Sequence, residues 1–207
     1  MLALKIKMLF KPLVTLFSSV VLLISASLVM SGSVSAAPAQ LVTGDGVIAY
    51  VVDGDTFWVK ADTRGSWVMA TRDASTAASR PGDLSFKVRL LNVGTEESAH
   101  RNPKKNTEFG RLSSQVAKRE LSGQRVVFKC KGVGKYGRPL CSIYVNGNDF
   151  GQGLVERGIS RYVTSWGVHP WADKGYSASE YYAKKNRLGI WSTDKKASIM
   201  QWLPPVE

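Results

Sequence analysis

"GVIAYVVDGDTFWVK", residues 46–60, decides the fold class. Two β-rich runs flank Asp53, Gly54 and Asp55, a composition that marks a tight turn, and the pattern of Phe57 and Val59 describes a half-buried second strand. The stretch predicts a β-hairpin that opens a domain. Downstream, residues 61–83 are rich in Ser, Thr, Ala, Gly and Arg, lack sustained periodicity and close on Pro81 and Gly82. They read as a long inserted loop, one that gates access to a site or is simply tolerated. "LSFKVRLLNV", residues 84–93, resumes as a strand with Phe86, Val88 and Leu90 on one parity. Residues 107–121 place Phe109, Leu112, Val116 and Leu121 at helical spacing and run into Ser122 and Gly123, which predicts a helix.

Cys130 and Cys141 bracket "KGVGKYGRPL", with "RVVFK" before and "SIYVNG" after, so two strands are expected around a glycine-rich loop. A hairpin centred near Lys135 brings the two sulfurs opposite each other as a disulfide; otherwise they are two separate small buried residues. The spacing, with no further cysteine and no histidine pair, argues against a zinc site. "DFGQGLVERGISRYV" reads as a short helix stopped by Gly158 and then a short strand. Residues 176–188 give a third helical pattern, carrying Tyr182, Lys184, Lys185 and Arg187 before Gly189. Antiparallel hairpins with isolated helices, in place of regular βαβ units, predict an α+β domain around a small barrel. No internal repeat is present.

Composition sets the class of partner. With 207 residues, 44% apolar and 21% charged, the chain suits one globular domain and excludes disordered and collagen-like classes. Its net charge of +12 attracts polyanions, either nucleic acid or an acidic membrane surface. Lys5, Lys7 and Lys11 precede an apolar run over residues 13–30, and "SGSVSAAPA" then offers Val34 and Ala36 at the −3 and −1 positions of a cleavage site. Residues 1–36 are therefore expected to be a signal peptide cut after Ala36, with an uncleaved anchor as the alternative. Ser18, Ser19, Ser25 and Ser27 interrupt the run and weaken a membrane span. Those three lysines are the only charges in the segment, so +9 stays with the rest of the chain. The expected organisation is a linker over 37–45, a domain over 46–192 and a C-terminal tail over 193–207.

The charged residues in or beside strands and turns are Asp53, Asp55, Arg89, Glu96, Glu97, Lys135 and Arg138. Arg89 stands out: its strand places a guanidinium at a sheet surface, facing either an anion or one of those acids in a structural salt bridge. His100 and His169 are far apart and lack the spacing of a metal or nucleophile constellation. Neither is assigned to a site.

"VVDGDTFWV", "VRLLNVGTEES", "GKYGRPLCSIYVNG", "GLVERGISRYV" and "AKKNRLGIWS" occur in the order and approximate spacing of the staphylococcal nuclease family, which the chain resembles over residues 47–192. The resemblance implies a five-stranded OB-like barrel with about three helices and calcium-dependent hydrolysis of phosphodiesters in DNA and RNA. Arg89 and Arg138 match the family's two phosphate-gripping arginines, and Glu97 matches the glutamate assigned as general base or water-orienting residue. Asp55 matches a metal-binding aspartate and Thr95 a threonine that lends its carbonyl to the metal. Hard oxygen ligands of this kind suit calcium, with magnesium or another divalent ion as an alternative.

One position departs from the family's pattern. Where the family has a second aspartate ligand followed by Thr and Pro, this chain has Gly94, Thr95 and Glu96. Glu96 or Asp53 fills the vacant role, or water does with weaker metal binding, or catalysis is lost. Lys104, Lys105 and Lys135 are expected to contact phosphates and Tyr136 to stack on a base or sugar. Tyr162 matches only loosely the family's nucleotide-stacking tyrosines. The expected function is an exported, secreted or cell-envelope nuclease, monomeric and with no specific protein partner. The alternative is a nucleic-acid-binding module whose catalysis decayed at Gly94, and a basic membrane-surface protein is a third, weaker candidate.

Overall fold

The computed structural model describes residues 41–98 and 103–203. The signal peptide expected over residues 1–36 lies outside them. Nine strands and five α-helices follow in chain order: β1 (Leu41–Asp53), β2 (Thr56–Ala61), α1 (Arg64–Thr71), β3 (Ser79–Arg80), β4 (Ser85–Leu90), β5 (Val93–Gly94), α2 (Glu108–Leu121), β6 (Arg125–Val133), β7 (Pro139–Val145), β8 (Asn148–Asp149), α3 (Phe150–Glu156), β9 (Arg161–Tyr162), α4 (Asp173–Lys185) and α5 (Lys195–Met200). The strand order β4-β2-β1-β6-β7 returns on itself because β4 also pairs in parallel with β7, through Arg89 opposite Leu140 and Leu90 opposite Cys141. Five strands thus close into the OB-like barrel, with β3 and β8 added at its margins.

Strand β1 runs through the barrel serving two partners. Its first half pairs with β6 and its second half with β2, changing over near Gly46 with bulges beyond Ile48 and Val51. A Cβ on Gly46 would sit 2.4 Å from the Lys60 carbonyl oxygen, so this close crossing of backbones requires glycine. Phe57, Val59, Phe86, Val88, Phe128 and Ile143 fill the interior, and Phe86 meets Phe128 edge-on at 5.2 Å. Cys130 and Cys141 are directly opposed in β6 and β7 and form a disulfide.

Helix α2 begins where Thr107 accepts a hydrogen bond from the Gly110 N–H at 2.8 Å, with Glu108 in the first turn and Lys118 and Arg119 in the last. It buries Phe109, Leu112, Val116 and Leu121 against the barrel. Gly158, with φ +67°, ends the segment after α3, and α3 packs against α4.

Three segments differ from expectation. The linker expected over 37–45 overlaps β1, which begins at Leu41 and pairs with Lys131 because its alternation continues upstream of Gly46. The insertion at 61–83 is not a structureless loop. It holds α1, capped by Thr63, and β3; Ala70 and Ala78 are buried, and Trp67 donates its indole N–H to the Ser85 carbonyl at 3.1 Å. The expected tail contains α5, capped by Asp194, whose Ile199 is fully buried. Among the described residues these two short helices take the α-helix count from the three implied to five.

Candidate nucleic-acid site

The β1–β2 turn places Asp55 under the barrel surface, 1% exposed, with every polar atom engaged. Oδ1 accepts from the Thr56 hydroxyl at 3.1 Å and from the Arg89 guanidinium, which forms an ion pair with it. Oδ2 accepts from the Thr95 N–H at 3.0 Å and the Thr95 hydroxyl at 2.9 Å. Such saturation is what lets a carboxylate persist in a buried setting. Arg89 also donates to the Val93 carbonyl at 3.2 Å, and Arg138 donates to the Thr56 hydroxyl at 3.1 Å. Arg89 of β4, Asp55 of the β1–β2 turn, Thr56 of β2 and Arg138, the residue before β7, form one hydrogen-bonded line. Arg89 is thus both a salt-bridge partner and a group at the sheet surface.

The segment after β5 carries the remaining acids. Thr95 is fixed on Asp55, and Glu97 lies two residues on, within about 7 Å of chain. Glu97 is exposed, and its carboxylate has no partner among the described residues. Its backbone carbonyl accepts from the Thr107 N–H at 2.9 Å, the residue that caps α2. Glu96 is turned toward the same cap, accepting from the Thr107 hydroxyl at 2.9 Å. A Cβ at Gly110 would lie 2.1 Å from the Glu97 carbonyl oxygen, so α2 and the acidic segment meet backbone to backbone.

Asp53 is half-buried and accepts from the Asp55 N–H at 3.1 Å, closing the turn. Burial, then the neighbouring charge of Asp55, pushes its carboxyl up to about 7. A hard divalent cation prefers oxygen donors, and the Asp55 carboxylate, the Thr95 carbonyl and Asp53 are of that chemistry. Gly94 adds no side chain. Its N–H donates to the Ser160 hydroxyl at 3.0 Å, and it pairs with Arg161 across β5 and β9. With four donors already on the Asp55 carboxylate, a cation there takes the place of one of them, and among the described residues no cluster of three or more His, Cys, Asp or Glu side chains is assembled as a metal site.

The β6–β7 turn presents Lys135 and Tyr136. The Tyr136 ring is 71% exposed, with the Lys135 amine 5.8 Å and the Arg138 guanidinium 5.7 Å from its centroid. Lys104 and Lys105 are exposed in a 3₁₀ turn, Pro103–Lys105, ahead of α2. Tyr162 is not a free stacking platform: its hydroxyl accepts from the His169 N–H and donates to Asp173, both at 2.7 Å. A concavity of about 610 Å³, bordered by Glu120, Asp149, Tyr182 and Trp202, shares no residue with the Asp55 network.

Two contributors escaped the sequence reading. Thr56 bridges Asp55 to Arg138, and the alternate-face position it shares with Arg89 in the β2–β4 register was the available signal. Ser75, in the insertion, donates its N–H to the Gly137 carbonyl at 2.9 Å and its hydroxyl to the Tyr136 carbonyl at 3.5 Å. It braces the turn that carries Arg138, and no local pattern announces a contact across 61 residues.

Fold and site together define the class: a nuclease-type OB-like domain that gathers arginines, a buried aspartate and an exposed glutamate at one place on its barrel. The chain belongs to the family described as staphylococcal nuclease homologue, whose model matches residues 87–193, just over half its length. It is similar to the endonuclease YhcR of Bacillus subtilis, 28% identical over 158 residues that make up 72% of this chain and 11% of that protein. It is also similar to the endonuclease Htp3 of Saprolegnia parasitica, 26% identical over 76% of this chain and 74% of the relative. A thermonuclease of Staphylococcus intermedius is 26% identical over 73% of this chain and 87% of its own length. The chain thus spans about a tenth of the Bacillus relative and most of the other two.

Proposed function

We propose that the protein is an exported, divalent-metal-dependent nuclease that hydrolyses phosphodiester bonds of DNA or RNA with little sequence preference. The observation that carries this reading is the hydrogen-bonded line from Arg89 through Asp55 and Thr56 to Arg138, which links the guanidinium of β4 to the one just ahead of β7, with the exposed Glu97 two residues beyond Thr95. Phosphoryl transfer demands positioning and charge stabilisation more than covalent help. Arg89 and Arg138 direct N–H donors at the nonbridging phosphate oxygens. Glu97, exposed and with no partner for its carboxylate among the described residues, takes the proton of the attacking water as the bond from phosphorus to the leaving oxygen breaks. Asp55 and the Thr95 carbonyl would hold the cation, which supplies Lewis-acid neutralisation of phosphate charge. Lys104, Lys105, Lys135 and Tyr136 bind the strand independently of sequence.

Relatives described as endonucleases and a thermonuclease support the activity, and the lysines, apolar run and small residues of segment 1–36 support export. Among the described residues, no helix is long and apolar enough to cross a membrane. The test is turnover of Arg89→Ala and Arg138→Ala on single-stranded DNA. Each is expected to fall about a hundredfold or more, as loss of a transition-state charge partner does; wild-type rates in either would reject the assignment.

A second reading, a binding module with decayed catalysis, is favoured by Gly94 alone. Under it the wild-type chain binds nucleic acid with strong salt dependence and cleaves none at any metal concentration.

A further inference from the structure

The face of the β2–β4 sheet that carries Thr56 and Arg89 continues outward. In the register of the two strands, Thr56 opposes Arg89 and Trp58 opposes Lys87. Side chains two apart share a face and lie about 7 Å apart along the strand, so Lys87 and Trp58 form the next row on the same face as the phosphate arginine. The inserted segment completes that row. Arg80 of β3, held opposite Ser85, lays its guanidinium 3.9 Å from the Trp58 ring centroid, and the Lys87 amine lies 5.1 Å from the same centroid.

We propose that Arg80 and Lys87, mounted on Trp58, are a second phosphate-binding station for a single polynucleotide strand, one row beyond the Arg89 and Arg138 pair. The proposal rests on the nuclease reading for its substrate class and extends it to the inserted segment over 61–83.

Three features support it. Arg80 is exposed, and neither Arg80 nor Lys87 has a carboxylate partner among the described residues; Asp83, the nearest acid along the chain, accepts from the Ser85 N–H at the strand's edge. Two like charges over one ring repel each other, and a bound phosphate relieves that repulsion. A guanidinium stacked on indole is also held in orientation, losing little freedom when it takes up a phosphate. Finally, the arrangement repeats on the other flank, where Lys135 and Arg138 approach the ring of Tyr136. Five cations thus border one path, with an exposed aromatic at one end. That suits a single strand, whose unpaired bases can stack on Tyr136 and whose phosphates follow the cations.

The test is the affinity of the full chain, in chelator, for a 20-nucleotide single-stranded DNA as a function of salt, comparing wild type with Arg80→Gln/Lys87→Gln. Glutamine keeps the side-chain stems over Trp58. A charge-matched control, Lys118→Ala/Lys174→Ala, removes two exposed lysines from α2 and α4. Two lost phosphate contacts are expected to weaken binding roughly tenfold at low salt and to lower the magnitude of the log–log salt slope by about 1.4, at ~0.7 per contact. KM for long strands is expected to rise with it, and Lys87→Arg in place of Gln to restore part of the slope. A slope and affinity equal to the control's would overturn the station while leaving the nuclease reading intact. A loss seen only with duplex would overturn its assignment to single strands. If the slope falls as expected but the wild type cleaves nothing, the station stands and the nuclease reading is what fails.

Discussion

The two segments that carry the reactive side chains are held by different parts of the molecule. Glu97 sits on a segment braced by α2, an element of the barrel domain itself, through the Thr107 cap and the backbone contact at Gly110. Arg138 sits beside a turn braced by the insertion, through Ser75 and the backbone at Gly137. In both cases a glycine admits the contact: a Cβ would lie 2.1 Å from Glu97 at Gly110 and 2.6 Å from the Ser75 Cβ at Gly137. The difference teaches that one half of the site depends on the core fold and the other on an added segment, so the two halves are separable by mutation.

The sharpest break is at Gly110. Gly110→Ala forces the helix off the Glu97 carbonyl, and displacement of a reactive group by about 1 Å costs on the order of a hundredfold in turnover. Steady-state cleavage with a thermal melt checks this; unchanged turnover would show that Glu97 is not held from below.

Gly137→Ala is the milder counterpart. Its φ of +66° and its closeness to Ser75 disfavour a side chain, so the turn shifts and Arg138 loosens. Turnover is expected to fall about tenfold with the Gly110-dependent half intact. A double-mutant cycle of Gly137→Ala with Gly110→Ala, read by thermal melt, measures whether the two braces couple, and strong coupling would contradict their separability.

The smallest effect on activity belongs to a third region. His169 is buried, stacked on Tyr176 at 4.5 Å and bonded to the Ser142 hydroxyl through Nε2 at 3.0 Å. Burial, then the positive charge of Lys129, pulls its pKa from 6.5 down to about 4 against the opposing pull of Asp173. The unfolded chain therefore takes up the proton first. The His169 contribution to stability is lost as pH falls from about 6.5 toward 4, by up to roughly 3 kcal/mol at ~1.4 kcal/mol per unit. Asp53, raised to about 7, acts in the opposite sense over the same window, so the His169 share is the difference between wild type and His169→Gln. Urea unfolding of both at pH 7, 5.5 and 4.5 checks this, and the difference is expected to narrow as pH falls.

Much of the barrel was legible because its strands alternate: Phe57 with Val59, and Phe86, Val88 and Leu90, announce an inner face by themselves. Closure was not, since it depends on the parallel pairing of Arg89 with Leu140, residues 51 apart whose proximity no local pattern encodes. Helices α1 and α5 escaped because they are short and bury few residues, Ala70 and Thr71 in one and Ile199 in the other. At the site, the residue types at Asp55, Arg89, Glu97 and Arg138 could be read from motifs. The bridge through Thr56 and the braces at Gly110 and Ser75 are tertiary contacts, and only the fold displays them.

The most direct test of the central claim is cleavage of single-stranded DNA, duplex DNA and RNA by the chain without residues 1–36, titrated with calcium, magnesium and chelator, alongside Glu97→Gln. Metal-dependent cleavage that collapses in Glu97→Gln is the expected result. Salt-sensitive binding without cleavage under any metal condition would contradict the account and make Gly94 the residue at which catalysis was lost.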